Sequence, residues 1–573
     1  MKNFYKVFLR VSLLSMTICF PVFAGTSAAA EELIRTGNQP PVSPAWVFDH
    51  WVWEDDENTE AALWELIDGY ESRGIPVGAV VIDSPWSTEY NNFIWNREQY
   101  PDPEGMMKRL TDRGIRVILW YTSMLNVENP GGKYEPKSNS IYQEAKEKGY
   151  LCNGGETYKW WKGKGAFIDY TNPEARAWWH GLLDRVLDLG VDGWKADGTD
   201  PMFPAGGRCM AGPIGPKEYK DLYYGYSYEY IKSKNPEGVS WGRAVDLLFA
   251  NPKGFAPVSH SAVNWVGDEQ HSWAMDGFLE AIQDIFDSAR LGYTVVGSDI
   301  AGYHGGMEVG KRLLLRWAQF GAMCPLMENG GHGAHQPWRH DEETVNVYRK
   351  FVKLHLALQP YLYSMMMKGH EMKGSIIHPQ KGTWQYKLGD DLFVAAIYDE
   401  SDTREITFPA GEWRDWWTPS KVYKEGETIT YNTPLDRYPL FVRAGSIIPL
   451  YVKDPELGMG DASFAQRLTL DVYPGGGAKS VLCEEGRERN YAKLAMDGEK
   501  NFTISISGAG REIMFRVLGD KPSGVLINGA EIKGVEKLDG LGNMPGAWYH
   551  DPVAGRTFIN PGASGEYTLR VKY

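Results

Sequence analysis

The chain has 573 residues, 43% hydrophobic and 23% charged, with 64 glycines and 33 prolines, which makes it globular and long enough for one large domain and one or two smaller ones. A net charge of −14 and the lack of any long Lys/Arg run exclude an electrostatic footprint for nucleic acid, so a neutral or weakly charged partner fits better. Aromatic residues make up 13%, and many sit in polar surroundings, among them Trp51, Trp53, Trp86, Trp95, Trp160 and Trp161. Flat rings with a polar tip suit the faces of sugars, although any single one of them serves equally well in a core.

At the start of the chain, Lys2, Lys6 and Arg10 precede an apolar stretch from Val11 to Ala24, followed by small residues through Ala30. This is the pattern of a secretory signal peptide cleaved near Ala24 or Ala30, so residues 1–30 are assigned to it and the mature protein is expected in the periplasm or outside the cell. Met16-Thr17-Ile18 before Cys19 is a poor lipoprotein signal. No later apolar run reaches the roughly 18 residues needed to span a bilayer, so no membrane partner is expected. Cys152, Cys209, Cys324 and Cys483 remain; their lack of CxxC spacing speaks against zinc and leaves a Cys152–Cys209 disulfide open.

From about residue 40 to 372 short apolar runs alternate with loops and longer helical patterns, as parallel strands with crossover helices do. Eight runs read as strands: Ala45 to Trp53, Val77 to Asp83, Ile115 to Tyr121, Val191 to Ala196, Val239 to Val245, Ala262 to Gly267, Thr294 to Asp299 and Met323 to Glu328. Helical patterns run over Thr59 to Ser72, Pro103 to Arg113, Pro173 to Leu189, Trp273 to Leu291 and Thr344 to Gly369. The spacing predicts a (β/α)8 TIM barrel, and no glycine-rich phosphate fingerprint supports an open doubly wound sheet. Beyond it, short alternating stretches broken by Gly, Pro, Asn and Asp predict two antiparallel β-sandwiches, 373–457 and 458–573, joined near Gly458 to Ala462.

In such a barrel the reacting groups stand at the carboxyl ends of strands. Acids collect there: Asp83 after the second strand, Asp197 and Asp200 after the fourth, Asp268 after the sixth, Asp299 after the seventh, and Glu328 closing the eighth. One such acid is as readily a helix cap or a surface charge, but five strands ending this way point to carboxylate chemistry. Glycoside cleavage with retention uses one carboxylate as nucleophile and a second as acid and then base, roughly 5 to 5.5 Å apart.

Five segments resemble glycoside hydrolase family 31 in order and spacing: Tyr100 to Met106, Gly193 to Asp200 (Gly-Trp-Lys-Ala-Asp-Gly-Thr-Asp), Trp265 to Asp268 (Trp-Val-Gly-Asp), Gly297 to Tyr303 and Arg316 to Gly321. The resemblance implies that Asp197 is the nucleophile and Asp268 the acid/base. It implies that Asp83 and Asp299 hold hydroxyls of the sugar being cleaved, and that Trp265 and Arg243 line that subsite. Arg243 lies further from Asp268 than the family pattern leads one to expect. Trp120, Lys195, Glu328 and His332 complete the expected substrate contacts, with His335 an alternative to His332. Lys195 would help keep Asp197 ionised, and Asp268, near Trp265 and Trp273, is expected to have a raised pKa.

The sequence departs from the family at three places. Fewer than twenty residues stand between the leader and the first strand, so the usual front β-sandwich is expected to be absent. Met327 to Trp338 replaces the Arg and His usual after the eighth strand, and Asp83 is followed by Ser84-Pro85-Trp86. No metal or cofactor is expected, since His271 and His304 lack ligand spacing. The reading is an exo-acting retaining α-glycosidase acting on an oligosaccharide or glycoconjugate, α-glucosidase- or α-xylosidase-like, or else an α-galactosidase or α-N-acetylgalactosaminidase. The alternatives are an α-transglycosylase and a non-catalytic carbohydrate-binding protein.

Overall fold

A computed structural model describes residues 39–573 except 250, 453–454, 466, 476–477 and 509, so the leader-like segment lies outside the described residues. Strands β1 (His50–Val52), β2 (Ala79–Ile82), β3 (Arg116–Tyr121), β4 (Gly193–Ala196), β5 (Val239–Arg243), β6 (Val263–Trp265), β7 (Val296–Gly297) and β8 (Met327–Asn329) pair in parallel in chain order, and β1 returns to pair with β8. The remaining gap is bridged where Asp299 meets Glu328 and the Ile300 amide donates to the Glu328 carbonyl at 3.2 Å. Strands buried on both faces read as near-continuous apolar runs, and β2, Ala-Val-Val-Ile, is wholly apolar.

Each expected strand segment overlaps one barrel strand, with two local differences. Ala45–Phe48 is a 3-10 helix, and the eighth strand starts only at Met327, after a turn. Helices begin where a cap and a proline coincide: Asp102 accepts from the Gly105 amide ahead of Pro103, and Asn172 from the Glu174 amide ahead of Pro173. The helix expected from Thr344 to Gly369 is two, Glu342–Ala357 and Gln359–Met372. Pro360 lacks the N–H that would carry the first into the second. A helix over Pro216–Lys234 follows β4. Between β5 and β6 the described residues contain no α-helix, only a 3-10 turn at Val258–His260. Pro252, Gly254 and Pro257 crowd that segment and oppose helix formation.

The C-terminal modules are largely antiparallel. A six-stranded sheet and a two-stranded ribbon enclose a small core around Phe393, Phe408, Trp413 and Phe441. Two further six-stranded sheets enclose Leu470, Phe502, Ile504, Phe515 and Leu569. Sheet membership changes between Leu440–Arg443 and Ile447–Tyr451, ahead of the Gly458 to Ala462 join expected from composition. Gly445 makes the crossing at φ 85°, where an added Cβ would stand 2.1 Å from the Gly475 carbonyl oxygen.

Candidate active site

The barrel interior is filled by indoles. Trp51 packs edge-on against Trp241, and Trp241 against Trp265 with centroids 5.0 Å apart; all three are sealed from solvent. Above them the Lys195 ammonium lies 3.8 Å from the centre of the Trp53 ring and donates to Asp83 Oδ2 at 2.7 Å. Burial alone would drive the Lys195 pKa down; Asp83, Asp299 and Asp197 overcome it and hold the lysine charged. Lys195 and Trp241 are register partners, as are Ala196 and Gly242, so Asp197 and Arg243 emerge side by side at the carboxyl end.

Arg243 organises the centre. Its Nη2 donates to Asp197 Oδ1 at 3.1 Å and to both Asp268 oxygens at 3.1 Å, and its Nη1 donates to Asp246 Oδ2 at 2.6 Å. Two oxygens that share one donor atom lie within about 6 Å of each other, compatible with the short separation of a retaining pair. Asp197 is further held by the Trp120 indole N–H on Oδ2 at 3.1 Å and the Gly198 amide on Oδ1 at 2.8 Å. Trp120 in turn stacks parallel to Trp160, with an interplanar angle of 7°.

The expected rise in the Asp268 pKa is corrected here. Burial is the largest influence and would raise it, but Arg243, Lys195 and His304 together outweigh burial and hold the carboxyl below its ordinary value. Its aromatic neighbours are legible in sequence; the direct contact that Arg243 makes with it is not.

Asp299 and Glu328 are both fully buried. Burial, and then each other's proximity, pushes Asp299 far up, and burial raises Glu328. Asp299 is pushed further because both its oxygens lack a donor among the described residues, whereas Glu328 Oε2 accepts from the Trp53 indole at 3.1 Å. Asp299, Glu328 and Trp265 are all buried beneath the Asp197–Asp268–Arg243 centre. Trp265 carries the Arg243 guanidinium 5.0 Å above its ring.

The two histidines separate. His335 is buried, with Nδ1 and Nε2 against the Ile300 and His332 carbonyls, and its pKa is lowered to about 4 by burial. His332 is 44% exposed and pairs with Asp56 at the mouth. Sequence reasoning missed Asp55: its carboxylate accepts from the Tyr303 hydroxyl and from Asn58 Nδ2, and it is pushed up to about 7 by burial and Asp83. It also missed Asp246 and the role of Tyr303, which stacks on Trp53. The acids just past the first strand, Asp55 and Asp56, were the available signal.

Cys152 and Cys209 form a disulfide that ties the β3–β4 connection to the β4–β5 connection. The one grouping of metal-ligand type among the described residues, Cys152, Asp169 and Cys209, has both sulfurs committed to that bond.

A parallel eight-stranded barrel that gathers carboxylates around an arginine at its carboxyl end is a framework of barrel glycosidases. The chain belongs to glycosyl hydrolase family 31: residues 40–365 match the family's TIM-barrel domain and residues 361–448 its C-terminal domain. Alpha-glucosidase 2 of Bacillus thermoamyloliquefaciens is 25% identical over 508 residues, 83% of this chain and 62% of that protein. The isomaltosyltransferase of Sporosarcina globispora is 23% identical, over 92% of this chain and 52% of its own length. The cycloalternan-forming enzyme of Listeria monocytogenes, solved with a pentasaccharide substrate, superposes with a TM-score of 0.84 at 23% identity, over 95% of this chain and 56% of that one. The chain thus spans between half and two thirds of the length of these relatives.

Proposed function

We propose that this chain is an exported retaining α-glycosidase that removes a terminal sugar from an oligosaccharide or glycoconjugate by double displacement. The observation that carries the reading is Arg243 Nη2 shared by Asp197 and Asp268, which sets two carboxylates across one small space. Asp197 attacks the anomeric carbon as the glycosidic C–O bond breaks, and the Asp268 proton passes to the leaving oxygen. Water then gives its proton to Asp268 while its oxygen bonds to the anomeric carbon and the Asp197 ester opens. Asp268 must carry a proton at the start, so substrate entry has to loosen its contact with Arg243. Asp83, on Lys195, is a hydroxyl-binding group at the pocket wall, as is Asp55. Export is supported by the leader-like start and by the disulfide, which belongs to oxidising compartments.

The test is a panel of 4-nitrophenyl α-glycosides of glucose, xylose, galactose, N-acetylgalactosamine and sulfoquinovose, with NMR of the first-formed sugar. Release of an α-configured product is expected, and activity on β-glycosides alone would overturn the reading. Transfer to a second sugar in place of water is the competing outcome. The likeness to an isomaltosyltransferase and to a cycloalternan-forming enzyme favours it, and added acceptor sugar would then yield longer products.

A further inference from the structure

We infer that Leu248 and Phe249 form the platform for the leaving-group sugar, and hence the subsite an acceptor sugar must fill in transfer; this rests on Asp197 and Asp268 being nucleophile and acid/base. Twenty-four residues separate Arg243 from Asp268, and the link from β5 to β6 contains no α-helix among its described residues. Its first half stays at the catalytic end of the barrel.

That half is firmly held. Asp246 accepts from Arg243 with one oxygen, and with the other from the Phe249 amide at 3.0 Å. The Leu247 amide donates to Asp284 Oδ2 at 2.8 Å, and the Asn251 amide returns to the Asp246 carbonyl at 2.9 Å. One carboxylate thus fixes both the catalytic arginine and the backbone of the platform.

Phe249 is 48% exposed and Leu248 38%, an apolar surface left open beside a charged centre. The Phe249 ring centre lies 5.2 Å from Arg243 Cζ, and the same guanidinium touches Asp268. The leaving oxygen must come within hydrogen-bond reach of Asp268 to receive its proton, so the sugar attached to it lies against the surface that flanks Asp268. A pyranose offers that surface its C–H face and keeps its hydroxyls in water. A rigid aromatic ring meets such a face at low entropic cost.

The test compares two substrates with the terminal sugar identified by the panel: its α-glycosyl fluoride, whose leaving group has no ring to stack, and an α-linked disaccharide. For Phe249→Ala, kcat/KM on the disaccharide is expected to fall about tenfold more than on the fluoride, the size of one aromatic contact. Phe249→Tyr should restore most of the difference, and the yield of transfer product at fixed acceptor should follow it. Equal falls on both substrates would overturn the platform and leave double displacement standing. Failure of the unaltered protein to turn over any α-glycosyl fluoride would overturn the catalytic reading, and the platform with it. If Phe249→Ala fails to fold, Leu248→Ala is judged by the same ratio.

Discussion

Replacing Arg243 with methionine probes the centre through one side chain. The guanidinium touches Asp197, Asp268 and Asp246 at 3.1, 3.1 and 2.6 Å and is itself buried. The attraction it exerts on Asp268, between charge centres about 5 Å apart, is about 3 kcal/mol at an effective dielectric near 20. Its loss is worth about two pH units upward on that carboxyl, and leaves the standing repulsion from Asp197 without an offset. The basic limb of kcat/KM, which reports protonated Asp268 in the free protein, is expected to move up by about two units while the rate falls. Stability follows with a definite sign. In the unaltered protein the lowered Asp268 pKa adds stability that is complete above the unfolded value, near 4, and is lost as pH falls through the lowered one. In the variant the sign reverses. Urea melts should show a deficit of about 3 to 5 kcal/mol at pH 7 that shrinks toward pH 4 as the carboxyls protonate. A basic limb that stays in place would refute the coupling.

Three further outcomes are expected. Asp197→Asn should lower kcat by about 10⁴-fold or more, and azide should rescue it to a glycosyl azide of inverted configuration; rescue with retention would remove Asp197 from the nucleophile's role. Asp55, pushed up to about 7 by burial and Asp83, keeps in the folded state a proton that the unfolded chain releases near 4, so it costs stability progressively from about pH 4 to 7. The stability of Asp55→Asn relative to the unaltered protein should therefore rise between pH 5 and pH 8, and a constant difference would contradict the shift. Cys152→Ser should cost about 2 to 5 kcal/mol, and reductant should lower the Tm of the unaltered protein but leave the variant's where it is.

The barrel was legible because strands buried on both faces read as largely apolar runs, and because Asp102-Pro103 and Asn172-Pro173 announce helices. The helix over Pro216–Lys234 was not. Its inward face is built largely from Tyr219, Tyr223, Tyr224 and Ser227, and tyrosine also marks its outer side at Tyr226, Tyr228 and Tyr230, so no apolar stripe stands out. Strand-end acids made Asp83, Asp197, Asp268, Asp299 and Glu328 visible as a set. What sequence could not carry is which of them face the pocket. Asp299 and Glu328 bury each other only once β7 meets β8, and Asp55 finds the Tyr303 hydroxyl only when the loops after β1 and β7 come together. The Asp268 pKa was misjudged for the same reason, since Arg243 reaches it from 25 residues away.

Charge balance narrows the sugar. Asp55, Asp83, Asp197, Asp268, Asp299 and Glu328 converge on two fully committed cations: Lys195 is held by Asp83, and Arg243 by three aspartates. Protons reduce the surplus, since burial and Glu328 push Asp299 far up and Asp55 is pushed up to about 7. Protonated carboxyls donate to hydroxyls and ionised ones accept from them, so the site suits a neutral polyol ring. An anionic group on the same ring would meet carboxylates and no free cation among these residues, at a cost of several kcal/mol in a desolvated pocket. The sulfoquinovoside in the panel should accordingly be turned over at least about a hundredfold more slowly than the best neutral glycoside, that factor being about 3 kcal/mol. Comparable rates would mean that a cation outside this set reaches the sugar.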